Sequence, residues 1–151
     1  MKNQIHMKDS HLEPLCRETA DAIALWEYEP PYDAYSFKGT PNDYLLDAAT
    51  WGNEQFCLMC DGQILGQVAC QYEEADLWVG WSMAPWLCGQ GYGAAFVDRC
   101  VTELCRAKDH HGRVLLRVSA RNHRAIRAYE KAGFRYLETI QDEIAYTRVI
   151  E

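Results

Sequence analysis

Residues 83–93 read Met-Ala-Pro-Trp-Leu-Cys-Gly-Gln-Gly-Tyr-Gly and stand between a strand-like run and a helix-like run. Glycine recurs at every second position, at Gly89, Gly91 and Gly93. Glycines let a backbone turn tightly and bring N–H groups up to a ligand, because no Cβ stands in the way. The helix that follows adds its unpaired first amides and the positive end of its dipole. The segment therefore predicts a binding site for an anion such as a phosphate group.

Short strands and helices are expected on both sides of this segment. Asp61-Gly62, between two alternating apolar runs, predicts a hairpin of strands at 55–60 and 63–72. Downstream, apolar periodicity and turn residues predict further elements. These are strands at 77–83, 114–118, 134–139 and 142–150, and helices at 91–108 and 122–132.

The N-terminal third carries weaker signals. A short edge strand is expected at residues 4–8. Ser10, with Glu13 three residues later, has the pattern of a capping box and predicts a helix over 11–26. Pro41-Asn42-Asp43 predicts the start of a second short helix that runs through about residue 50. No repeat, low-complexity tract or long linker divides the chain.

Composition narrows the class of protein. A chain of 151 residues with 48% hydrophobic and 25% charged residues is typical of one globular domain. No apolar run has the length of a membrane span, and the N-terminus lacks an apolar signal core. A net charge of −7 argues against a nucleic-acid partner and favours a cationic partner such as an amine. We expect neither a nucleic acid nor a membrane as partner.

Seven cysteines, an odd number, indicate reduced thiols in the cytoplasm rather than a disulfide framework. Cys57 and Cys60 have the spacing of a zinc site, which His110-His111 could complete. No second Cys-x-x-Cys exists, however, and residues three apart on a strand point to opposite faces. We therefore interpret both cysteines as small hydrophobic residues and expect no metal.

Two segments together carry a family resemblance. One is residues 83–93, quoted above, and the other is residues 122–134, Asn-His-Arg-Ala-Ile-Arg-Ala-Tyr-Glu-Lys-Ala-Gly-Phe. The first resembles the acetyl-CoA pyrophosphate loop of the GNAT family of N-acetyltransferases, with the signature Arg/Gln-x-x-Gly-x-Gly/Ala. The second is similar to that family's second motif, an Asn–Ala–Tyr–Gly–Phe series. The resemblance implies a single N-acetyltransferase domain over residues 1–151. Its α/β fold has a central mixed, mostly antiparallel sheet of six to seven strands, flanked by about four helices and splayed at the acetyl-CoA site.

The resemblance also implies which residues bind acetyl-CoA as co-substrate. The pantetheine arm enters where the strand ending at Met83 splays from the strand beginning at Val114, and the Met83 N–H polarises the thioester carbonyl. Cys88 stands where the family usually has Arg or Gln; backbone amides still supply most of the pyrophosphate contacts. The implied acetyl-CoA contacts are Trp81, Ser82, Met83, Cys88, Gly89, Gln90, Gly91, Tyr92, Gly93, Asn122 and Tyr129.

The implied reaction is transfer of the acetyl group to a primary amine of a small molecule or peptide, by direct attack in a ternary complex. Tyr129 corresponds to the family's general acid, and an ordinary tyrosine pKa of about 10 keeps the hydroxyl protonated at neutral pH. The alternative for Tyr129 is a packed aromatic ring on an amphipathic helix. Asn122 is also a strong N-cap residue, and it is able to fill both roles.

The sequence indicates the general base and the acceptor site less clearly than the acetyl-CoA site. Asp76 and Glu74 share one side of the third predicted strand and are the candidate bases, with Glu73 beside them. The alternative is that this acidic cluster is a solvated hairpin turn and that water removes the proton.

The acceptor site is expected in the aromatic segment 26–37. Trp26, Tyr28 and Tyr32 are its candidate substrate-binding residues, because aromatic faces attract ammonium groups. The same rings could instead pin the loop to the core. A second function also stays open, a non-catalytic acyl-CoA-binding sensor or scaffold module. A homodimer through sheet edges and a monomer are both compatible with the sequence.

Overall fold

A computed structural model describes residues 5–37, 47–52 and 54–151. Its strands are β1 (His11–Pro14), β2 (Gln55–Cys60), β3 (Gln63–Glu73), β4 (Asp76–Met83), β5 (Gly112–Ser119), β6 (Arg135–Ile140) and β7 (Glu143–Ile150). Its α-helices are α1 (Arg17–Ala24), α2 (Gly93–Lys108) and α3 (His123–Lys131).

All seven strands belong to one sheet with the order β1-β2-β3-β4-β5-β7-β6. The described pairs β1–β2, β2–β3, β5–β7 and β6–β7 are antiparallel, whereas β4 and β5 are parallel. This confirms the predicted α/β class and the mixed, mostly antiparallel sheet. Three α-helices, rather than about four, lie in the described part of the chain. Most of the predicted helix over 41–50 falls outside it, and its described end, Ala48–Thr50, is a 3-10 turn.

The chain packs as two compact units, Met1–Ala69 with Trp81–Cys88, and Cys70–Gly80 with Gly89–Glu151. In the first unit, α1 and the neighbouring strands enclose an apolar core. Its buried members are Leu15, Ala20, Ile23, Phe37 and Cys57, with Trp26, Tyr28, Trp51, Met59 and Ile64 packed against them.

The predictions for residues 5–14 were wrong, whereas Arg17–Ala24, inside the predicted helix 11–26, is helical. Met7–Asp9 is a 3-10 turn in place of the strand at 4–8, of which Gln4 lies outside the described residues. Residues predicted to open a helix form β1, which pairs with β2. Pro14 explains the difference, because a residue before proline avoids the helical region and Glu13 is therefore extended. The Ser10 hydroxyl donates to the Met7 carbonyl at 2.5 Å and closes the turn instead of capping a helix.

The helix that does form, α1, begins later and carries its own capping box. The Cys16 N–H donates to the Thr19 hydroxyl oxygen at 3.0 Å, and the Cys16 side chain faces the N–H of Thr19 in return. This is the reciprocal arrangement that satisfies amides at a helix start. The capping pattern is therefore present six residues after the position that Ser10 suggested.

In the second unit, β5 and α2 supply much of the buried surface. β5 is registered with β7 from Gly112 opposite Ile150 to Ser119 opposite Glu143. Its pairing with β4 comprises Leu77 with Val114 and Trp78 with Leu115. The buried apolar residues of α2 recur at helical spacing, which is the pattern of a helix that covers a sheet. They are Phe96, Val97, Cys100, Val101, Leu104 and Cys105.

The possible zinc ligands lie in ordinary structural surroundings. Cys57 and Cys60 are buried thiols, and burial raises the pKa of Cys57 to about 11. His110 uses both ring nitrogens within the second unit, since Nε2 donates to the Arg113 carbonyl and Nδ1 accepts from the Tyr72 hydroxyl, both at 2.9 Å. Within the described ranges, no three His, Cys, Asp or Glu side chains are grouped to hold a metal ion. No helix in those ranges is long and apolar enough to cross a bilayer.

Leu104 offers a direct test of the α2 packing. We expect Leu104→Ala to lower the free energy of unfolding by about 2–5 kcal/mol, because this side chain is fully buried and its removal leaves a cavity. The matched control is Leu25→Ala, a leucine that is 70% exposed, for which we expect a change within about 0.5 kcal/mol. Urea denaturation followed by circular dichroism measures both. Equal effects of the two substitutions would contradict the packing described for α2.

Candidate functional site

The glycine segment adopts the backbone that its sequence predicts. Gly89 has φ +74° and Gly91 has φ +85°, the left-handed region in which side chains are strained. A Cβ at either position would meet nothing within 4 Å, so the backbone conformation, not crowding, requires glycine there. Gly93 differs, because a Cβ there would lie 3.2 Å from the Cβ of Ala128 on α3. This glycine allows α2 and α3 to approach closely.

The N-terminus of α2 is open to an anion. Tyr92, the N-cap residue, makes no side-chain capping hydrogen bond, and the first turn of this helix contains no acidic residue. The helix is 16 residues long, so its dipole is well developed. Gly89, Gln90 and Gly91 before it are exposed. The second unit therefore presents glycine amides and the positive end of a helix at an accessible surface.

In the first unit, hydrogen bonds fix the end of β4. The Tyr28 hydroxyl donates to the Met83 carbonyl at 2.6 Å, and the Ala84 N–H donates to the Leu65 carbonyl at 2.8 Å. The Cys88 thiol donates to the Ala84 carbonyl at 3.6 Å, across the 3-10 turn Pro85–Leu87. The contact from Tyr28 was not foreseen from the sequence. It orients the backbone at Met83, the residue whose N–H the resemblance assigned to the thioester.

The second motif forms α3 and the turn after it. Asn122 is the N-cap, and its side-chain oxygen accepts the Ala125 N–H at 3.2 Å, which confirms the capping interpretation. Tyr129 is half-buried, with its ring tilted against Phe134 at a centroid distance of 6.2 Å. The Phe134 N–H donates to the Tyr129 carbonyl at 3.0 Å, following Gly133 with φ +91°. Contacts of Asn122 and Tyr129 with acetyl-CoA stay predictions.

The candidate bases flank a tight turn. Glu74 has φ +56° and lies exposed between β3 and β4. Asp76, the first residue of β4, accepts two hydrogen bonds from Arg113, at 3.1 Å from Nε and 2.7 Å from Nη2. These bonds lower the pKa of Asp76. The salt bridge makes Asp76 a weak proton acceptor at neutral pH, because the bound guanidinium stabilises the charged carboxylate.

The aromatic segment divides between core and surface. Trp26 and Tyr28 pack against the core of the first unit, which favours the role of pinning the segment. Tyr32 is half-buried and stacks on Tyr35 at a centroid distance of 6.4 Å. Substrate contact by Trp26, Tyr28 and Tyr32 stays a prediction.

The sequence does not predict a stacked pair of side chains on β4 and β5. The guanidinium carbon of Arg117 lies 4.1 Å from the centroid of the Trp78 ring. Both residues belong to the second unit. The available signal was a tryptophan and an arginine on neighbouring predicted strands, but the pairing depends on the strand register.

Comparisons with known proteins agree with the fold. Residues 19–134 match the acetyltransferase (GNAT) family. A GNAT-family acetyltransferase from Bacillus anthracis has 15% sequence identity and a TM-score of 0.69 over 93% of this chain and 95% of that one. The aminoglycoside acetyltransferase AAC(6')-Ib in complex with coenzyme A has 16% identity and a TM-score of 0.70 over 93% and 94%. Ard1 from Thermoplasma volcanium has 18% identity and a TM-score of 0.65 over 95% and 99%. No curated protein matches the sequence significantly.

The Asp76–Arg113 salt bridge makes stability depend on pH. A carboxyl whose pKa is lowered on folding stabilises the protein above its unfolded pKa, here 3.8, and this contribution is lost as pH falls through the lower folded value. We expect Arg113→Gln to be less stable than the unmodified protein at pH 7 and equally stable once Asp76 is protonated. Urea denaturation across this pH range measures the difference. Arg135→Gln, an exposed arginine on β6, is the control; a pH-independent difference for Arg113→Gln would contradict the assignment.

Proposed function

The chain belongs to the acetyltransferase (GNAT) family, and we propose that it transfers the acetyl group of acetyl-CoA to a primary amine of a small molecule or peptide, by direct attack in a ternary complex. The observation that carries this proposal is the backbone of the glycine segment. Two left-handed glycines lead into a 16-residue helix whose first turn holds no acidic residue. Such a helix start favours bound phosphate groups.

The pyrophosphate of acetyl-CoA is bound by the amides of Gly89, Gly91 and Gly93 and by the first turn of α2. Successive N–H groups in a turn form a concave anion site, and the helix dipole adds to it. Cys88 stands where the family usually has Arg or Gln, and its thiol donates to the Ala84 carbonyl. Binding therefore relies on the backbone, with Gln90 and Tyr92 adding contacts from the same segment.

The thioester is polarised by the Met83 N–H, and the pantetheine arm runs along Trp81 and Ser82. A hydrogen bond to the carbonyl oxygen stabilises the negative charge that develops there when the amine attacks. The Tyr28 hydroxyl holds the Met83 carbonyl at 2.6 Å and so limits rotation of the backbone at that residue. Tyr28 is a positioning residue for the reaction as well as part of the aromatic segment.

Tyr129 protonates the departing thiolate of CoA, and Asn122 contacts the cofactor from the start of the same helix. The amine must be neutral to attack, so a base or a water chain removes its proton. Of the two carboxylates, Asp76 is bound to Arg113 and its pKa is lowered, whereas Glu74 is exposed at the turn. Glu74 or water is therefore the better acceptor of that proton.

The proposed working unit is a single N-acetyltransferase domain over residues 1–151 in the cytoplasm. All seven cysteines are free thiols, which suits a reducing compartment. The net charge of −7 speaks against nucleic-acid binding. Reaction in a ternary complex does not require a homodimer.

A non-catalytic acyl-CoA sensor or scaffold is the second candidate, and Cys88 is the observation that favours it. Loss of the usual Arg or Gln removes a side chain from the signature while leaving the amides of the loop. A sensor needs those amides but has no need of Tyr129 as an acid. The two candidates differ in whether acetyl-CoA is consumed in the presence of an amine.

Gly91 tests the anion site. We expect Gly91→Ala to weaken acetyl-CoA binding by at least about tenfold, because an alanine strains the left-handed backbone and turns the amides away. The matched control is Gly62→Ala, at a hairpin turn with φ +77° and equally open space. Both substitutions cost about 1–2 kcal/mol of stability, but only the first should reduce binding. Calorimetric titration with acetyl-CoA measures this, and equal affinities of the two variants would count against the loop.

Substitution of Tyr129 tests its proposed role as the general acid. We expect Tyr129→Phe to lower kcat by roughly 100-fold or more while the acetyl-CoA dissociation constant stays within about twofold, because only the proton donor is lost. Tyr136→Phe, an exposed tyrosine on β6, is the matched control. Release of CoA thiol with a panel of primary amines gives the rates. Unchanged turnover in Tyr129→Phe would remove the assigned role, and acetyl-CoA binding without turnover would favour the sensor.

A further inference from the structure

The side chain of Arg117, on an interior strand, is held by an aromatic ring and forms no ion pair with the described residues. Arg117 lies on β5, which stands between β4 and β7 in the sheet, and its side chain is exposed. Its guanidinium carbon lies 4.1 Å from the centroid of the Trp78 ring. Across the described ranges 5–37, 47–52 and 54–151, Arg117 forms no ion pair or hydrogen bond through its side chain. Stacking immobilises the planar group and leaves the donors at its edge available.

Arg113, on the same strand, is an arginine with a structural role. It lies four residues earlier on β5, on the same side, and binds both oxygens of Asp76 at 3.1 and 2.7 Å. The carboxylate nearest along β4 is therefore already occupied. Arg117 offers the same pair of guanidinium donors, but no carboxylate of the described residues binds them. The Trp78 ring holds the guanidinium of Arg117 in place, so its donors are already oriented for an external carboxylate.

The pair stands where the registered pairing of β4 and β5 ends. Trp78 is opposite Leu115 in the second of the two registered pairs, and Arg117 lies two residues beyond Leu115 on the same side. Gly80 lies two residues beyond Trp78 along β4, is exposed, and has nothing within 4 Å of a Cβ built on it. Trp78, Gly80 and Arg117 all belong to the second unit. They form an open position with an aromatic ring and a cation at its margin.

We propose that Arg117 binds a carboxylate of the acceptor, so that the substrates of this protein are amines that also carry a carboxylate, such as amino acids. This rests on the proposed acetyl transfer. Guanidinium and carboxylate match as a two-bond fork, which orients the acceptor as well as holding it. Trp78 fixes the fork and offers its ring edge to the apolar part of the acceptor. A polyamine or an aminoglycoside lacks the carboxylate and meets an uncompensated positive charge at this position.

Amino acids and their amides provide the test. The full chain with bound acetyl-CoA is given phenylalanine and phenylalaninamide, glutamate and its diamide, and spermidine and kanamycin as carboxylate-free amines. Thiol release gives kcat and KM, and calorimetric titration onto the complex with CoA gives binding without turnover. The variants are Arg117→Gln and, as matched control for loss of one exposed strand arginine, Arg135→Gln on β6.

We expect acids to be preferred over their amides by at least about tenfold in kcat/KM or binding. Arg117→Gln should abolish that preference mainly by raising KM for the acids, with the acetyl-CoA affinity unchanged, while Arg135→Gln retains it. Equal or better use of amides and polyamines, a preference that survives Arg117→Gln, or no acid binding to the CoA complex would each overturn the assignment. Weaker acetyl-CoA binding in Arg117→Gln would also overturn it, by assigning the arginine to the cofactor. Failure of the unmodified protein to bind acetyl-CoA would instead refute the proposed function itself.

Discussion

The parallel pairing of β4 with β5 is the constraint on which the rest of this structure depends. Every other described strand pair is antiparallel, a pairing that even a short turn can connect, but parallel neighbours require a crossover. Helix α2 is that crossover, so its N-terminus necessarily follows the end of β4. A helix start after a strand end is a place where anions bind, because unpaired amides converge there. The glycines make the turn from strand to helix feasible in the few residues available.

Much of the fold from residue 55 onward is predictable from the sequence, because its signals are local. Asp61-Gly62 marks a hairpin turn, in which both residues have positive φ, and Gly133 ends α3 with φ +91°. Local signals do not predict the structure at the start of the chain, because β1 is stabilised by pairing with β2, more than forty residues away. Ser10 and Glu13 satisfy a local helix pattern, whereas Pro14 and the distant partner strand favour an extended backbone. Where local and long-range preferences disagree, the long-range pairing decides.

The features of the candidate site also differ in whether local sequence predicts them. The capping role of Asn122 and the left-handed glycines are properties of short segments, so the sequence predicts them. The salt bridge of Asp76 with Arg113 and the stacking of Arg117 on Trp78 depend on the register of two strands separated by a helix. No pattern within either strand specifies that register. The two arginines on one face of β5 therefore acquire different roles, one structural and one open to a ligand, only once the strands are paired.

The anion site at the glycine segment is tested by observing its backbone amides while acetyl-CoA binds. In a titration of ¹⁵N-labelled protein followed by NMR, we expect large saturable shifts for Gly89, Gly91 and Gly93, because their N–H groups donate to the pyrophosphate. Gly62 and Gly133, at turns outside the glycine segment, should move little. Saturable binding that leaves the three loop amides unshifted, or no binding at all, would contradict the assignment of this segment to the pyrophosphate.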